Sequence, residues 1–119
     1  NMIMISVAAS LAIKNQIDHL WYAAHSGDHE IYPDCRPEFI DRMTAVLEIC
    51  DYHKIKFEAP FQNLSKSQIV EAGLSMNLDY SKTWTCYEGK EKPCGKCSAC
   101  LERALSFKLN NTKDPLDDI

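Results

Sequence analysis

Hydrophobic residues recur at helical spacing from the second position of the chain onward. The pattern predicts a helix over residues 2–16. The stripe that this helix would bury consists of Ile5, Ala8, Leu11 and Ala12. Residues 19–24 form a nearly continuous apolar and aromatic run, which is typical of a buried parallel strand. A polar loop over residues 25–35 follows it.

The helical periodicity returns at Pro37, a residue that is favoured in the first turn of a helix. A helix is predicted over residues 37–51, and a second strand over residues 55–59. The apolar face of this helix would consist of Phe39, Ile40, Met43, Val46, Leu47 and Cys50.

Two further helices are predicted in the rest of the chain. Ser65 and Gln68 have the spacing of a capping box and open a helix that extends to Met76. The other helix covers residues 98–109, and the acidic end of the chain, residues 114–119, is expected to fray. The alternation of helices with strands predicts an α/β fold. Two strands make a poor sheet, so we expect further strands from a partner chain or from sequence not present here.

Composition and charge narrow the classes of function. The chain has 119 residues, of which 45% are hydrophobic and 25% charged, as expected for one globular domain with room for a small appended module. The net charge of −4 disfavours a nucleic-acid-binding zinc knuckle. No apolar run reaches the roughly 18 to 20 residues that span a bilayer, and the opening segment lacks the basic start of a signal peptide.

Four of the six cysteines lie close together in the sequence. They form a C-x7-C-x2-C-x2-C series at Cys86, Cys94, Cys97 and Cys100. Two successive C-x2-C steps bring thiolates to one point, which favours a zinc site over a disulfide framework. Four thiolates leave no open coordination position, so the metal would be structural. A pair of disulfides and an iron–sulfur cluster remain the alternatives.

The loop after the first predicted strand holds polar side chains where ligands of parallel sheets bind. They are Asp28, Tyr32, Asp34 and Arg36. In an alternative role, Asp34 would only cap the following helix. His25 and His29 have the spacing of a metal pair, but the residues between them are typical of a turn. Cys35 has no evident base and is a weak candidate for a nucleophile.

Lys66 stands at the start of the helix that follows the second strand. The exposed N–H groups and the dipole of a helix N-terminus attract anions, and the lysine adds a positive charge. The position therefore suits a phosphate or a carboxylate. The alternative is an ordinary solvated lysine beside a cap.

Four segments, in this order, resemble motifs of the 7-cyano-7-deazaguanine synthases of the queuosine pathway. They are residues 32–39 (Tyr-Pro-Asp-Cys-Arg-Pro-Glu-Phe), 64–70, 83–89 and 91–100. The resemblance implies a Rossmann-like parallel sheet of the adenine nucleotide α-hydrolase type, as in the PP-loop ATP pyrophosphatases. Residues 1–80 would be part of that domain, and residues 81–119 a helical zinc-binding subdomain.

The resemblance also implies an enzyme, a ligase that forms a carbon–nitrogen bond. It would convert 7-carboxy-7-deazaguanine and ammonia, with ATP and Mg2+, into the nitrile through an adenylated carboxylate and an amide. The zinc ligands would be Cys86, Cys94, Cys97 and Cys100; the substrate residues Asp28, Tyr32, Asp34 and Arg36; and the catalytic residues Lys66, Asp34 and Arg36. We expect a cytoplasmic homodimer that contacts neither nucleic acid nor membrane.

One feature of the family is not found in this sequence. The family begins with a strand and a Ser-Gly-Gly-x-Asp-Ser loop that binds phosphates, and no such segment occurs here. We therefore expect the C-terminal part of such a synthase, inactive alone and partnered by the missing N-terminal half. The alternative is a zinc-stabilised binding or scaffold module that is not catalytic.

Overall fold

A computed structural model describes residues 1–116 of the chain. The chain divides into two compact units, a first unit, Asn1–Leu64, and a second unit, Ser65–Ile119. The prediction that places a boundary between residues 80 and 81 remains a prediction. Within the described residues, no helix is long and apolar enough to cross a membrane.

The first unit is built from two helices and two strands. They are α1 (Met2–Lys14), β1 (His19–Trp21), α2 (Pro37–Ile49) and β2 (Lys56–Glu58). The strands pair in parallel with Leu20 opposite Phe57, and the backbone N–H of Tyr22 extends the pairing to the carbonyl of Glu58. The predicted α/β organisation with a small parallel sheet is confirmed.

An apolar core holds the first unit together. Its buried residues are Ile5, Ala9, Ala12, Ala24, Cys35, Ile40, Met43, Leu47, Ile55 and Phe57. The stripe predicted for α1 is partly wrong, because Ala9 is buried whereas Leu11 is exposed. Apolar residues occupy almost every face of α1, so its periodicity does not determine which face packs.

Three further positions predicted to be buried are exposed. Val46 in α2 and Cys50, the residue that follows α2, are exposed and lie outside the core. The first strand is shorter than predicted, and Trp21 at its end is 71% exposed. In a strand, successive side chains point to opposite faces, and here the face of Leu20 and Phe57 packs on the core.

The second unit contains α3 (Lys66–Ser75) and α4 (Ser98–Leu109), which pack against each other. The capping box is confirmed: Ser65 accepts the backbone N–H of Gln68, whose side chain accepts the N–H of Ser65. The ring of Tyr80 packs against Gly73, where any Cβ would collide with the phenol oxygen. Its hydroxyl donates to the carbonyl of Val70 at 3.0 Å.

The acidic end of the chain does not fray as predicted, at least as far as residue 116. Asp114 and Leu116 are buried. The reason is an ion pair with Arg103, a side chain on α4 that is itself buried. Residues 117–119 lie outside the described part of the chain.

Candidate metal centre and substrate loop

The four clustered cysteines come from two neighbouring segments of the second unit. Cys94 and Cys97 flank a turn in which Gly95 adopts a φ of +69°, a left-handed conformation that favours glycine. Cys97 is the N-cap residue of α4, and Cys100 lies in its first turn. Cys86 lies in the loop that precedes this turn.

The geometry of the cluster fits a tetrahedral metal ion. The sulfur atoms of Cys86, Cys94, Cys97 and Cys100 all lie within 4.8 Å of one another. Four Zn–S bonds of about 2.3 Å require sulfur–sulfur distances of about 3.8 Å. The Sγ atoms of Cys94 and Cys100 are 4.0 Å apart, about twice the length of a disulfide bond. The four cysteines can therefore hold a metal such as zinc.

Backbone N–H groups point at the sulfur atoms and favour their ionised form. Cys86 Sγ accepts from the N–H groups of Cys94 and Glu88, both at 3.4 Å, and these bonds lower its pKa. The N–H of Cys100 lowers the pKa of Cys97 to about 6. Burial raises the pKa of Cys100 to about 12. A bound dication would supply the charge that lets this last thiol ionise.

In the first unit, the loop between β1 and α2 is folded by two 3-10 turns, Ser26–Asp28 and Pro33–Cys35. His25, the residue before the first turn, is buried. Its Nδ1 accepts the N–H of Gly27 at 3.2 Å, and its Nε2 lies 3.2 Å from Oδ2 of Asp28. Because Nδ1 is an acceptor, the imidazole proton is assigned to Nε2, which donates to the carboxylate.

Two other charged residues of this loop, Asp34 and Arg36, also have hydrogen-bond partners. Asp34 Oδ2 accepts from the side-chain amide of Asn1 at 2.8 Å. Arg36 donates from Nε to the carbonyl of His29 at 2.8 Å. Asp34 does not cap α2, whose N-cap residue is Arg36 and has no side-chain cap bond.

Beneath the loop, a tyrosine and a cysteine form a buried contact. The hydroxyl of Tyr22 lies 3.5 Å from Cys35 Sγ and donates to the carbonyl of Asp34 at 3.2 Å. Burial raises the pKa of Cys35, and the carboxylates of Asp28 and Asp34 raise it further. The thiol is therefore protonated and buried at neutral pH, which argues against a nucleophilic role.

The remaining predicted residues of the loop are placed differently. Tyr32 is exposed, as is Arg36. His25 and His29 do not form a metal pair, because both nitrogens of His25 are engaged by Gly27 and Asp28. The Nε2 atom of His29 is buried and has no hydrogen-bond partner.

Ser26 anchors the loop to the segment after the second strand. Its backbone N–H and its hydroxyl both donate to the carbonyl of Leu64, at 3.0 and 2.9 Å. Sequence reasoning missed Ser26, and it also missed the roles of His25 and Asn1. The spacing of His25 and Asp28 is a local signal that could have indicated their contact. No local signal exists for the other two contacts, because Ser26 lies 38 positions from Leu64 and Asp34 lies 33 positions from Asn1.

Lys66, in the second unit, is the first residue of α3. Its Nζ forms an ion pair of 2.5 Å with Oε2 of Glu102 on α4, and the lysine side chain is 25% exposed. The lysine is therefore paired and only partly solvated. An anion that bound at this helix N-terminus would compete with Glu102 for the ammonium group.

The family model described as "Queuosine biosynthesis protein QueC" matches residues 1–111. The chain is 53% identical over 117 residues to the 7-cyano-7-deazaguanine synthase of Pseudoalteromonas atlantica, covering 98% of this chain and 54% of that protein. It is 51% identical to the synthase of Psychromonas ingrahamii, covering 98% of this chain and 52% of that protein. It is 47% identical to the synthase of Methanoregula boonei, covering 98% of this chain and 54% of that protein. The chain spans about half the length of the curated relatives it matches.

Proposed function

This chain belongs to the QueC family of queuosine biosynthesis proteins, and from that premise we propose that it supplies part of a 7-cyano-7-deazaguanine synthase. The observation that supports the proposal best is the loop of the first unit, where His25, Asn1 and His29 hold Asp28, Asp34 and Arg36 in place. We further propose that the sheet is part of a Rossmann-like domain of the nucleotide α-hydrolase type.

The proposed reaction activates one carbon twice. An oxygen of 7-carboxy-7-deazaguanine attacks the α-phosphorus of ATP, and pyrophosphate leaves. Ammonia then attacks the carboxyl carbon, AMP leaves, a proton is lost and an amide forms. The amide oxygen attacks the α-phosphorus of a second ATP, pyrophosphate leaves again, and loss of AMP and of both protons on the nitrogen produces the nitrile.

In this proposal the loop binds the deazaguanine base. Asp28 and Asp34 accept hydrogen bonds from the amino and ring N–H groups of the base, and Tyr32 lines its binding site. Arg36 has the charge to pair with the carboxylate of the substrate. A base analogue that lacks these N–H donors would leave carboxylates unpaired, which makes the loop selective.

Lys66 has a separate proposed role at the N-terminus of α3. Its ammonium group, together with the helix dipole, would stabilise phosphate charge as pyrophosphate leaves. The ion pair with Glu102 would then be exchanged for one with phosphate. ATP, bound with Mg2+, is the co-substrate in this scheme.

The four cysteines would hold one zinc ion per chain. The ion would supply no chemistry at the reacting atoms, because four thiolates fill its coordination shell. It would instead fix the turn before α4. We also propose that the active assembly is cytoplasmic and contains a second copy of the chain, an N-terminal half, or both.

Calorimetry with 7-carboxy-7-deazaguanine tests the proposal on the chain alone and with the N-terminal half of a relative supplied. We expect binding in at least the second case, and at least a tenfold weaker affinity for Asp34→Asn. Glu30→Gln, a neighbour in the same loop, is the matched control and should bind as wild type.

Nitrile formation from the carboxylate, ammonia and ATP is the second readout, and we expect it only when the N-terminal half is present. No binding of the carboxylate under either condition would contradict the enzymatic proposal and favour the scaffold alternative. Robust turnover by the chain alone would contradict the need for the other half.

A further inference from the structure

Arg103 lies at the centre of the polar contacts in the second unit, and it is 6% exposed. Its Nε and Nη2 donate to the two carboxylate oxygens of Asp114, at 2.5 and 2.8 Å. This fork-to-carboxylate pairing balances the buried charge. The guanidinium also lies 5.2 Å from the centre of the Phe107 ring, a cation–π distance.

The guanidinium has a second set of bonds, and these go to the loop that leads to Cys86. Nη1 donates to Thr83 at both its hydroxyl (2.8 Å) and its carbonyl (3.4 Å). Nη2 donates to the carbonyl of Tyr80 at 3.2 Å. One residue further on, the indole N–H of Trp84 donates to the carbonyl of Cys86 at 2.8 Å. A continuous series of bonds thus joins α4 to this cysteine.

Three of the four cysteines are positioned without the bonds of Arg103. Cys94, Cys97 and Cys100 are fixed relative to one another by a single turn and the start of α4. Cys86 comes from a separate segment, and bringing that segment to the other three costs conformational entropy. The bonds of Arg103 order this segment before a metal ion binds, so that metal binding does not have to supply this entropy.

We propose that Arg103 is a positioning residue of the metal centre, which sets metal affinity by holding Cys86 beside the other three sulfur atoms. The inference rests on the metal site of the proposed function. Residues that orient metal ligands change affinity by about 10-fold to 100-fold in other proteins. We therefore expect the Kd for Zn2+ to rise at least tenfold in Arg103→Met, with Arg103→Lys in between because it lacks the fork.

The test is competition for Zn2+ between the chain and a chromophoric chelator. Val70→Ala is the matched control, since it removes a buried side chain of the same unit and no bond of Arg103; its Kd should stay within about threefold of wild type. If Arg103→Met does not fold, Thr83→Val removes the 2.8 Å bond from Arg103, together with the bond of the Thr83 hydroxyl to the carbonyl of Tyr80, and a several-fold rise in Kd is expected.

A double-mutant cycle with Cys86→Ser separates positioning from general destabilisation. If Arg103 acts through Cys86, then Arg103→Met changes the affinity of the Cys86→Ser chain by less than threefold. An equal loss with and without Cys86, or an equal loss in Val70→Ala, would overturn the inference. A wild-type chain that binds no Zn2+ would overturn the metal site itself and the inference with it, whereas normal metal binding by Arg103→Met would overturn the inference alone.

Discussion

The two units of this chain are stabilised by different interactions. The first unit buries a contiguous apolar core between two helices and a parallel pair of strands, while its ion pair Glu38–Arg42 is exposed. In the described part of the second unit, the buried apolar side chains are few: Val70, Cys86, Cys100, Phe107 and Leu116. That unit instead buries the Arg103–Asp114 ion pair and a cluster of thiols. Apolar burial is unaffected by metal and pH, whereas charges and thiolates depend on both.

Metal removal should produce the largest effect, and only in the second unit. Structural zinc contributes about 10 to 16 kcal/mol to folding in small zinc domains. Each unit contains one tryptophan, and Trp84 is bonded to the carbonyl of Cys86. On addition of a chelator we expect the fluorescence of Trp84, observed in Trp21→Phe, to report unfolding. Trp21, observed in Trp84→Phe, should stay unchanged; a parallel change in both would contradict the separation.

The buried ion pair should have the next largest effect. Breaking such a pair typically costs about 3 to 5 kcal/mol, because the remaining charge is left buried and unpaired. We expect Asp114→Asn to lower the free energy of unfolding of the second unit by about this amount, measured by denaturant titration. A loss below about 1 kcal/mol would show that Arg103 reaches solvent when its partner is neutral.

The same pair predicts a pH dependence with a definite sign. Burial opposes the ionisation of Asp114, but the bonds from Arg103 outweigh it and lower the pKa below the ordinary value of 3.8. The stability that this carboxylate contributes is complete above that value and is lost as pH falls through the lower folded-state pKa. Wild type should therefore lose stability more steeply than Asp114→Asn below about pH 4.

A core substitution in the first unit should destabilise the chain in a way that does not depend on metal. Leu47 is buried in α2, and Leu→Ala changes in cores cost about 2 to 5 kcal/mol. We expect Leu47→Ala to lower the stability of the first unit by an amount that chelator does not change. Loss of Zn2+ from this variant, measured by the chelator assay, would contradict the independence of the two units.

Gly73→Ala should cost about 1 to 3 kcal/mol, the usual penalty of overpacking. The new Cβ would collide with the hydroxyl of Tyr80 and break its bond to the carbonyl of Val70. To identify the cause, the cost of Gly73→Ala is measured by thermal unfolding in the wild-type chain and again in a chain that carries Tyr80→Phe. If Gly73→Ala is equally costly with Phe at position 80, the ring carbons, two of which would lie 2.8 and 3.2 Å from the new Cβ, rather than the hydroxyl are the source.

The exposed pair Glu38–Arg42 should have the smallest effect. Both side chains are largely solvated, and pairs of this kind contribute about 0.3 to 0.5 kcal/mol. Glu38→Gln is expected to change the midpoint of denaturation by less than the error of most instruments. A loss close to that of Asp114→Asn would mean that burial does not decide the strength of ion pairs in this chain.

Sequence reasoning succeeded where the deciding interactions are local. The capping box at Ser65 and the start of α2 at Pro37 each depend on neighbours within a few positions. The cysteine cluster was predicted for the same reason, since its spacing alone determines which sulfur atoms can meet.

Sequence reasoning failed where a distant partner decides. The end of the chain was expected to fray because it is acidic, but Arg103 pairs with Asp114. Leu11 and Cys50 were expected in the core, but which face of a helix packs depends on the neighbouring elements. The roles of Asp28 and Arg36 in substrate binding stay predictions.

The most direct test of the contrast between the units is the metal content of the freshly purified chain, measured by native mass spectrometry. We predict one zinc ion per chain, and its loss in Cys100→Ser, whose altered side chain is buried within the cluster. Less than one metal ion per two chains, with the four clustered cysteines oxidised to disulfides, would contradict a metal-held second unit.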